Sequence, residues 1–294
     1  MKMPVANSAV PSTLTAAALP SRRESGRGTL CVEKVAGRSV VTGALASSPL
    51  RLLTPSDCPG QAAWVFSSTF GGGLVAGDEI ALDVSVGADA EVLLATQAST
   101  KVYRSPIGLT ARQSLRVALE RNSTCAVLPD PLTCYAGARF EQRLRFDLAD
   151  GASLVLLDWL TSGRRARNER WAFARYASRI EASMADKLVF RDAITLDPAD
   201  GPIAGEHRMG RCDCYGLLLL LGPRVAAACD QLLQWAKAQP IAREDGLIFS
   251  ASAISGGAVV RMAASQTQQM SQWIRQRLDF VPQLLGADPW ARKY

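Results

Sequence analysis

From Thr29 to about Leu221 apolar and polar residues alternate with a period of two, which predicts β-strands with one buried face. Glu79-Ile-Ala-Leu-Asp-Val-Ser-Val86, Arg143-Leu-Arg-Phe-Asp-Leu148 and Trp171-Ala-Phe-Ala-Arg-Tyr176 show this alternation. Other stretches are continuously apolar, as in Glu91-Val-Leu-Leu-Ala95, Ser153-Leu-Val-Leu-Leu157 and the leucines 217–221 between Gly216 and Gly222. Such runs predict strands buried on both faces. The two kinds come in pairs: 84–94, 117–128 and 146–157 each read as strand, short polar turn, buried strand. Their second strands begin near Glu91, Cys125 and Ser153, 34 and 28 residues apart, a spacing that suggests stacked supersecondary units. Simple hairpins in a sandwich are the competing arrangement.

Helical periodicity comes late. Val225, Ala228, Leu232, Leu233, Trp235 and Ala236 form one stripe between Pro223 and Pro240. Met270, Trp273, Ile274, Arg277, Leu278 and Val281 form a second, with a break near Pro282. Residues 246–263 between them return to strand character. The expected fold is mainly β, a stacked, solenoid-like strand arrangement with two α-helices in the C-terminal region. Residues 29–294 form a single domain without an internal linker. Residues 1–28 hold few charges, small residues and three prolines, and no continuous apolar stretch of the kind a secretory signal needs. They read as a flexible tail, with weak similarity to an organellar transit peptide.

Composition narrows the chemistry. The chain has 294 residues, a net charge of +6, seven cysteines and one histidine. A single imidazole excludes a metal site built from several histidines of one chain. Seven scattered cysteines in a chain of this size favour reduced thiols and a cytoplasmic setting. No apolar run approaches the roughly 20 residues that cross a bilayer, so no membrane association is expected. Residues 164–192 hold eight basic and four acidic side chains, most of the net charge. Without interleaved aromatics this region suits an acidic protein partner better than nucleic acid.

Gly71-Gly-Gly-Leu-Val-Ala-Gly-Asp78 resembles a phosphate loop, but a strand follows where such a loop needs a helix. Gly71, Gly72, Gly73 and Gly77 read instead as a tight corner. Asp78 and Glu79 are adjacent acids whose side chains point to opposite faces of a strand, a poor arrangement for an acid–base pair. A buried member needs a partner or a water-filled cavity, which makes them candidates for a hard-cation or nickel pathway. His207, Cys212 and Cys214 are candidate weak metal ligands, with buried thiols as the blander reading. Ser99-Thr100-Lys101 lacks any companion of a nucleophilic site. No catalytic set emerges, and a binding or scaffold protein is expected.

Four motifs carry a family resemblance. Phe70-Gly-Gly-Gly-Leu-Val-Ala-Gly-Asp78 is followed by Leu94-Ala-Thr-Gln-Ala-Ser-Thr-Lys-Val-Tyr-Arg104, which contains Thr96, Gln97, Lys101, Tyr103 and Arg104. Leu128-Pro-Asp-Pro-Leu-Thr-Cys-Tyr135 comes next, then Leu157-Asp-Trp-Leu-Thr-Ser-Gly-Arg164, which contains Asp158, Gly163 and Arg164, with Glu169 and Trp171 beyond it. In this order they resemble the UreD (UreH) urease accessory protein family, with wording closest to its plant and fungal members. The resemblance runs from about residue 30 to the Pro289–Lys293 end. It implies a non-enzymatic chaperone that binds apo-urease and a UreF-like helical protein, and through the latter a UreG-like GTPase, in a complex compatible with dimerisation. Nickel is implied as transient cargo, with no tightly bound cofactor and an internal tunnel as its route. By resemblance Asp78, Glu79 and Asp192 belong to that route, although Arg191 stands where the family's third acid aligns. A single histidine suits a protein that passes a metal on without holding it. Two other classes remain alternatives: a β-solenoid hydrolase with paired carboxylates, and a basic nucleic-acid binder using residues 164–191.

Overall fold

The computed structural model describes residues 25–55, 60–242 and 244–291. Two sheets face each other. Sheet I contains β1 (Ser25–Val35), β2 (Arg38–Ala46), β5 (Glu79–Val86), β8 (Ala111–Leu119), β11 (Arg139–Leu148), β13 (Arg175–Met184) and β14 (Lys187–Leu196). Its spatial order is β14-β13-β11-β8-β5-β1-β2. Sheet II contains β3 (Leu50–Leu53), β4 (Ala63–Thr69), β6 (Glu91–Thr96), β9 (Thr124–Leu128), β12 (Ser153–Thr161), β15 (Cys214–Leu221), β16 (Leu247–Ile254) and β17 (Gly257–Ala264). Short β7 (Lys101–Val102) and β10 (Leu132–Cys134) extend it beside β12.

The chain winds from one sheet to the other and back. β5, β8, β11 and β13 are parallel neighbours in sheet I; β4, β6, β9 and β12 are parallel neighbours in sheet II. The three sequence pairs are thus successive coils of a solenoid, and the sandwich of hairpins does not form. Glu91 pairs with Thr124 and Thr124 with Ser153, so true offsets are 33 and 29 residues. The four-residue difference lies in the return segments 97–110 and 129–138, which carry β7 and β10.

Each coil turns on a left-handed residue at an equivalent place: Asp89, Asn122 and Gly151. Asn and Asp tolerate this region better than other side-chain-bearing residues. The turns stack through their own polar groups. The Asp89 amide donates to the Arg121 carbonyl, the Asn122 amide to the Asp150 carbonyl, and the Asn122 side-chain amide to Asp89 Oδ1 at 3.1 Å. Backbone groups left over by one coil are met by the next.

Apolar residues of both inner faces form the main core, from Leu30 and Val32 to Leu219 and Leu221. Sheet II is buried on its outer face too, under α1 (Ala226–Ala238), α2 (Thr267–Arg277) and α3 (Val281–Leu285). Pro282 lies in the first turn of a separate α3, so the late region holds three helices where the periodicity suggested two. Trp171 takes a left-handed φ of 52° and β13 starts only at Arg175, so the alternation over 171–174 does not mark a strand. Its buried indole ties the chain down by donating to the Cys212 carbonyl. β1 begins at Ser25, so residues 25–28 belong to sheet I; residues 1–24 of the expected tail lie outside the described residues. No described helix is long and apolar enough to cross a membrane.

Candidate functional site

The core between the sheets is interrupted by a polar layer. Inward positions of sheet I bring Gln113, Gln142 and Ser178 into register on β8, β11 and β13. Opposite them, sheet II supplies Ser67, Thr96 and Asp158 from β4, β6 and β12. Ser67, Thr96, Gln113, Gln142 and Asp158 line an internal cavity of about 150 Å³. Its remaining wall is largely apolar, from residues such as Leu82, Leu94, Leu115 and Leu156, and a space of that size beside the polar groups has room for several waters.

Asp158 is the acid of this layer. Gln142 Nε2 lies 2.9 and 2.8 Å from its two carboxylate oxygens, and Ser178 Oγ donates to Oδ2 at 3.3 Å. Burial pushes the carboxyl above the ordinary carboxylate range; these two hydrogen bonds pull it back, and the Asp192 charge adds a smaller push. Asp158 is half-buried and lines the cavity. Burial likewise raises the neighbouring Tyr176 phenol, and brings that of Tyr215 to about 12. Asp192 points inward from β14 and meets Arg261 of β17 at 2.6 Å, an ion pair that joins the two sheets.

The cavity shares part of its wall with a wide cleft. Thr96, Ala98, Ser99, Asp130 and Trp159 border both. The cleft, about 900 Å³, is completed by Gln97, Phe66 and the α2 residues Gln268, Gln272 and Arg275. Thr96 is held at the rim by Asp130, whose amide donates to Thr96 Oγ1 at 2.8 Å.

The remaining motif residues assemble into a stack at the end of the coils. The Leu74 amide donates to the Lys101 carbonyl, and the Tyr103 amide to the Leu74 carbonyl, both at 2.8 Å. Lys101 is in parallel register with Thr133, which in turn pairs with Thr161. Gly73 is required here: a Cβ would lie 2.5 Å from the Lys101 carbonyl oxygen and 2.7 Å from the Tyr103 ring. Gly71, Gly72 and Gly77 take left-handed φ values of 79°, 72° and 88° around it. Tyr103 meets the Tyr135 ring edge-on at 5.3 Å, and the Arg164 guanidinium lies 3.8 Å over Tyr135. Arg164 Nε donates to Glu169 Oε2 at 2.8 Å, and its NH2 group donates to Oε1. The Arg164 bond holds the Glu169 carboxyl below its ordinary range, aided by the Ala136 amide. Gly163 forms the bend into this pair, and Gly137 packs on Arg104.

Asp78, Glu79 and Asp192 are not brought together. Asp78 closes the glycine corner, its Oδ2 accepting the Val75 amide at 2.9 Å. Glu79 is exposed on the outer face of sheet I. Four strand spacings, about 19 Å, separate β5 from β14. The carboxylate beside Asp192 is Asp158, which the sequence marked only as a motif residue. Gln142 and Ser178 had no sequence signal beyond being polar residues at inward positions of alternating strands. His207, Cys212 and Cys214 do not converge either, and no three His, Cys, Asp or Glu side chains among the described residues are grouped to hold a metal. His207 is exposed, whereas the Cys214 thiol is buried against the Ala264 carbonyl and raised to about 12.

The chain is a two-sheet β-solenoid with a cluster of polar side chains around Asp158 in its interior and a broad cleft beside α2. Its sequence places it among known proteins. Residues 24–293 match the model of the UreD urease accessory protein, and the chain belongs to that family. It is 50% identical over 272 residues to the urease accessory protein UreD of Sorangium cellulosum, covering 92% of this chain and 85% of that protein. It is 44% identical to the UreD of Anaeromyxobacter (91% and 89% covered) and 31% identical to the urease accessory protein D of Oryza sativa subsp. indica (90% and 94% covered).

Proposed function

We propose that this chain is a non-catalytic chaperone of urease maturation. It binds apo-urease together with a UreF-like helical protein, which brings a UreG-like GTPase, and nickel released on GTP hydrolysis passes through its interior to the enzyme. The observation that supports this reading is the polar layer around Asp158, which shares a wall with the cleft beside α2. A hydrated divalent ion moves along carboxylates, amides and waters, and leaves them again, because none of these binds it as a thiolate–imidazole cage would. Asp158 supplies charge, Gln142 and Ser178 supply oxygens, and Asp192 tunes Asp158 from across its own ion pair. Asp78 and Glu79 stand apart from this layer and act, on this reading, at the corner where β5 begins.

The test is urease activation in the host with nickel content measured on purified urease. Deleting the chain leaves urease protein present and nickel-free. Asp158→Leu keeps the accessory complex on co-purification but lowers nickel loading at least tenfold. Full loading in that variant removes the interior from the route. Asp78→Ala with Glu79→Ala lowers activation with assembly intact; wild-type activation there confines the two acids to shaping the corner.

A further inference from the structure

The outer face of sheet I is the one broad sheet surface among the described residues that no helix covers. Parallel sheets are ordinarily buried on both sides. Here β5, β8, β11, β13 and β14 turn their alternate side chains to solvent, and those positions carry eight arginines against five carboxylates and no aromatic residue. The face measures roughly 700 Å² from strand spacing and rise, against the roughly 800 Å² per partner of a standard protein interface.

Its charges are ordered by register. Glu141 sits between Arg112 and Arg143, at 3.7 and 2.9 Å; Asp147 sits between Arg116 and Arg145, at 3.6 and 3.1 Å. Arg191 pairs with Glu181 at 2.9 Å. Arg179, in register with Arg143, makes no ion pair among the described residues. Each guanidinium has five N–H donors and one carboxylate engages at most two, so the ladder keeps many donors to spare. Arginine in every basic position favours planar, two-pronged carboxylate partners over point charges.

We propose that this face docks a broad acidic protein surface, and that within the reading above, on which this inference rests, the partner is apo-urease. Nucleic acid fits poorly: the five carboxylates repel a continuous phosphate backbone, and no aromatic side chain offers a base a stacking surface. Area and charge point to a protein-sized acidic partner: the face approaches one partner's share of a standard interface, and urease is the protein whose maturation the reading above gives to this chain. The positive excess of residues 164–191 contributes only Arg175, Arg179 and Arg191 to it; the other five arginines come from β8 and β11.

The experiment measures binding of the full chain to purified apo-urease at 50 and 300 mM salt. Wild-type affinity falls at least tenfold across that range. Arg116→Glu/Arg145→Glu/Arg179→Glu loses at least tenfold at 50 mM, whereas the three lysine replacements, which keep the charge but not the two-pronged geometry, lose about threefold. If the triple reversal does not fold, Arg179→Glu, which breaks no ion pair, carries the test with a loss of about threefold. Wild-type binding in the reversed variants overturns the docking face and leaves the chaperone reading standing. A wild-type chain that does not bind apo-urease overturns both. A 20-base-pair duplex bound more tightly than apo-urease at 150 mM salt, and lost on reversal, replaces the protein partner with nucleic acid.

Discussion

The two sheets are built from the same coils, yet one is dry on both faces and the other on one. β6, β9 and β12 are apolar almost throughout, because their inner residues meet sheet I and their outer residues, such as Leu93, Ala126 and Leu157, meet the helix-covered layer. β5, β8 and β11 alternate, because their outer residues meet water. Helices pack only where an apolar outer face calls for them: α1 on β16 and β17, α2 on β17, α3 on β6. The rings of Trp235 and Phe249 stack 4.8 Å apart within that layer, and Trp273 leans on both. One side of the molecule is therefore held by packing, and the other keeps a charged surface whose ion pairs add little to stability.

The difference can be broken most severely in sheet II. Leu220→Ala removes a fully buried side chain beneath the helices and lowers unfolding free energy by about 2–5 kcal/mol, read as a lower urea midpoint. Gly73→Ala drives a methyl into the Lys101 carbonyl and the Tyr103 ring and costs about 1–3 kcal/mol, with a matching change in the tyrosine signal of near-ultraviolet circular dichroism.

Asp158→Asn sharpens the contrast between the polar layer and the dry core. Because burial raises the Asp158 pKa in the folded state, its stabilising contribution is complete below the unfolded carboxylate value and is lost as pH rises through the folded one. The variant gains on wild type as pH rises from 4 to 8, and the gap closes in acid. A pH-independent difference in urea midpoint would mean that burial does not dominate this carboxyl. The smallest effect belongs to the wet face: Arg145→Ala changes stability by about 0.5 kcal/mol or less, since an exposed pair with Asp147 is easily replaced by water. A loss as large as that of Leu220→Ala would show that the ladder is structural.

Much of the fold was legible in the residues. Continuous and alternating runs distinguish sheet II from sheet I, and the polar turns around Asp89, Asn122 and Gly151 mark the coils. The failures are local. At Trp171–Ala174 a period of two arose from a loop in which Trp171 and Phe173 are buried by separate contacts, since periodicity reports burial and not backbone conformation. The break expected near Pro282 is present between α2 and α3, but the residues beyond it form a third short helix, since a proline can also start one. The site was less legible. Asp158 stood out only within a motif, and Gln142 and Ser178 acquire meaning only when β11 and β13 place them across from it.

By itself the sequence determined which strands are wet and which are dry, the order of the coils, and the family, because these depend on residue type and spacing along the chain. Only the tertiary structure decided which acids meet. Asp78, Glu79 and Asp192 look alike in one dimension, but strand register sends Glu79 outward, Asp78 into a corner and Asp192 inward beside Asp158. The face each side chain takes follows from local alternation, but which strands become neighbours across the two sheets follows from the winding of the whole chain.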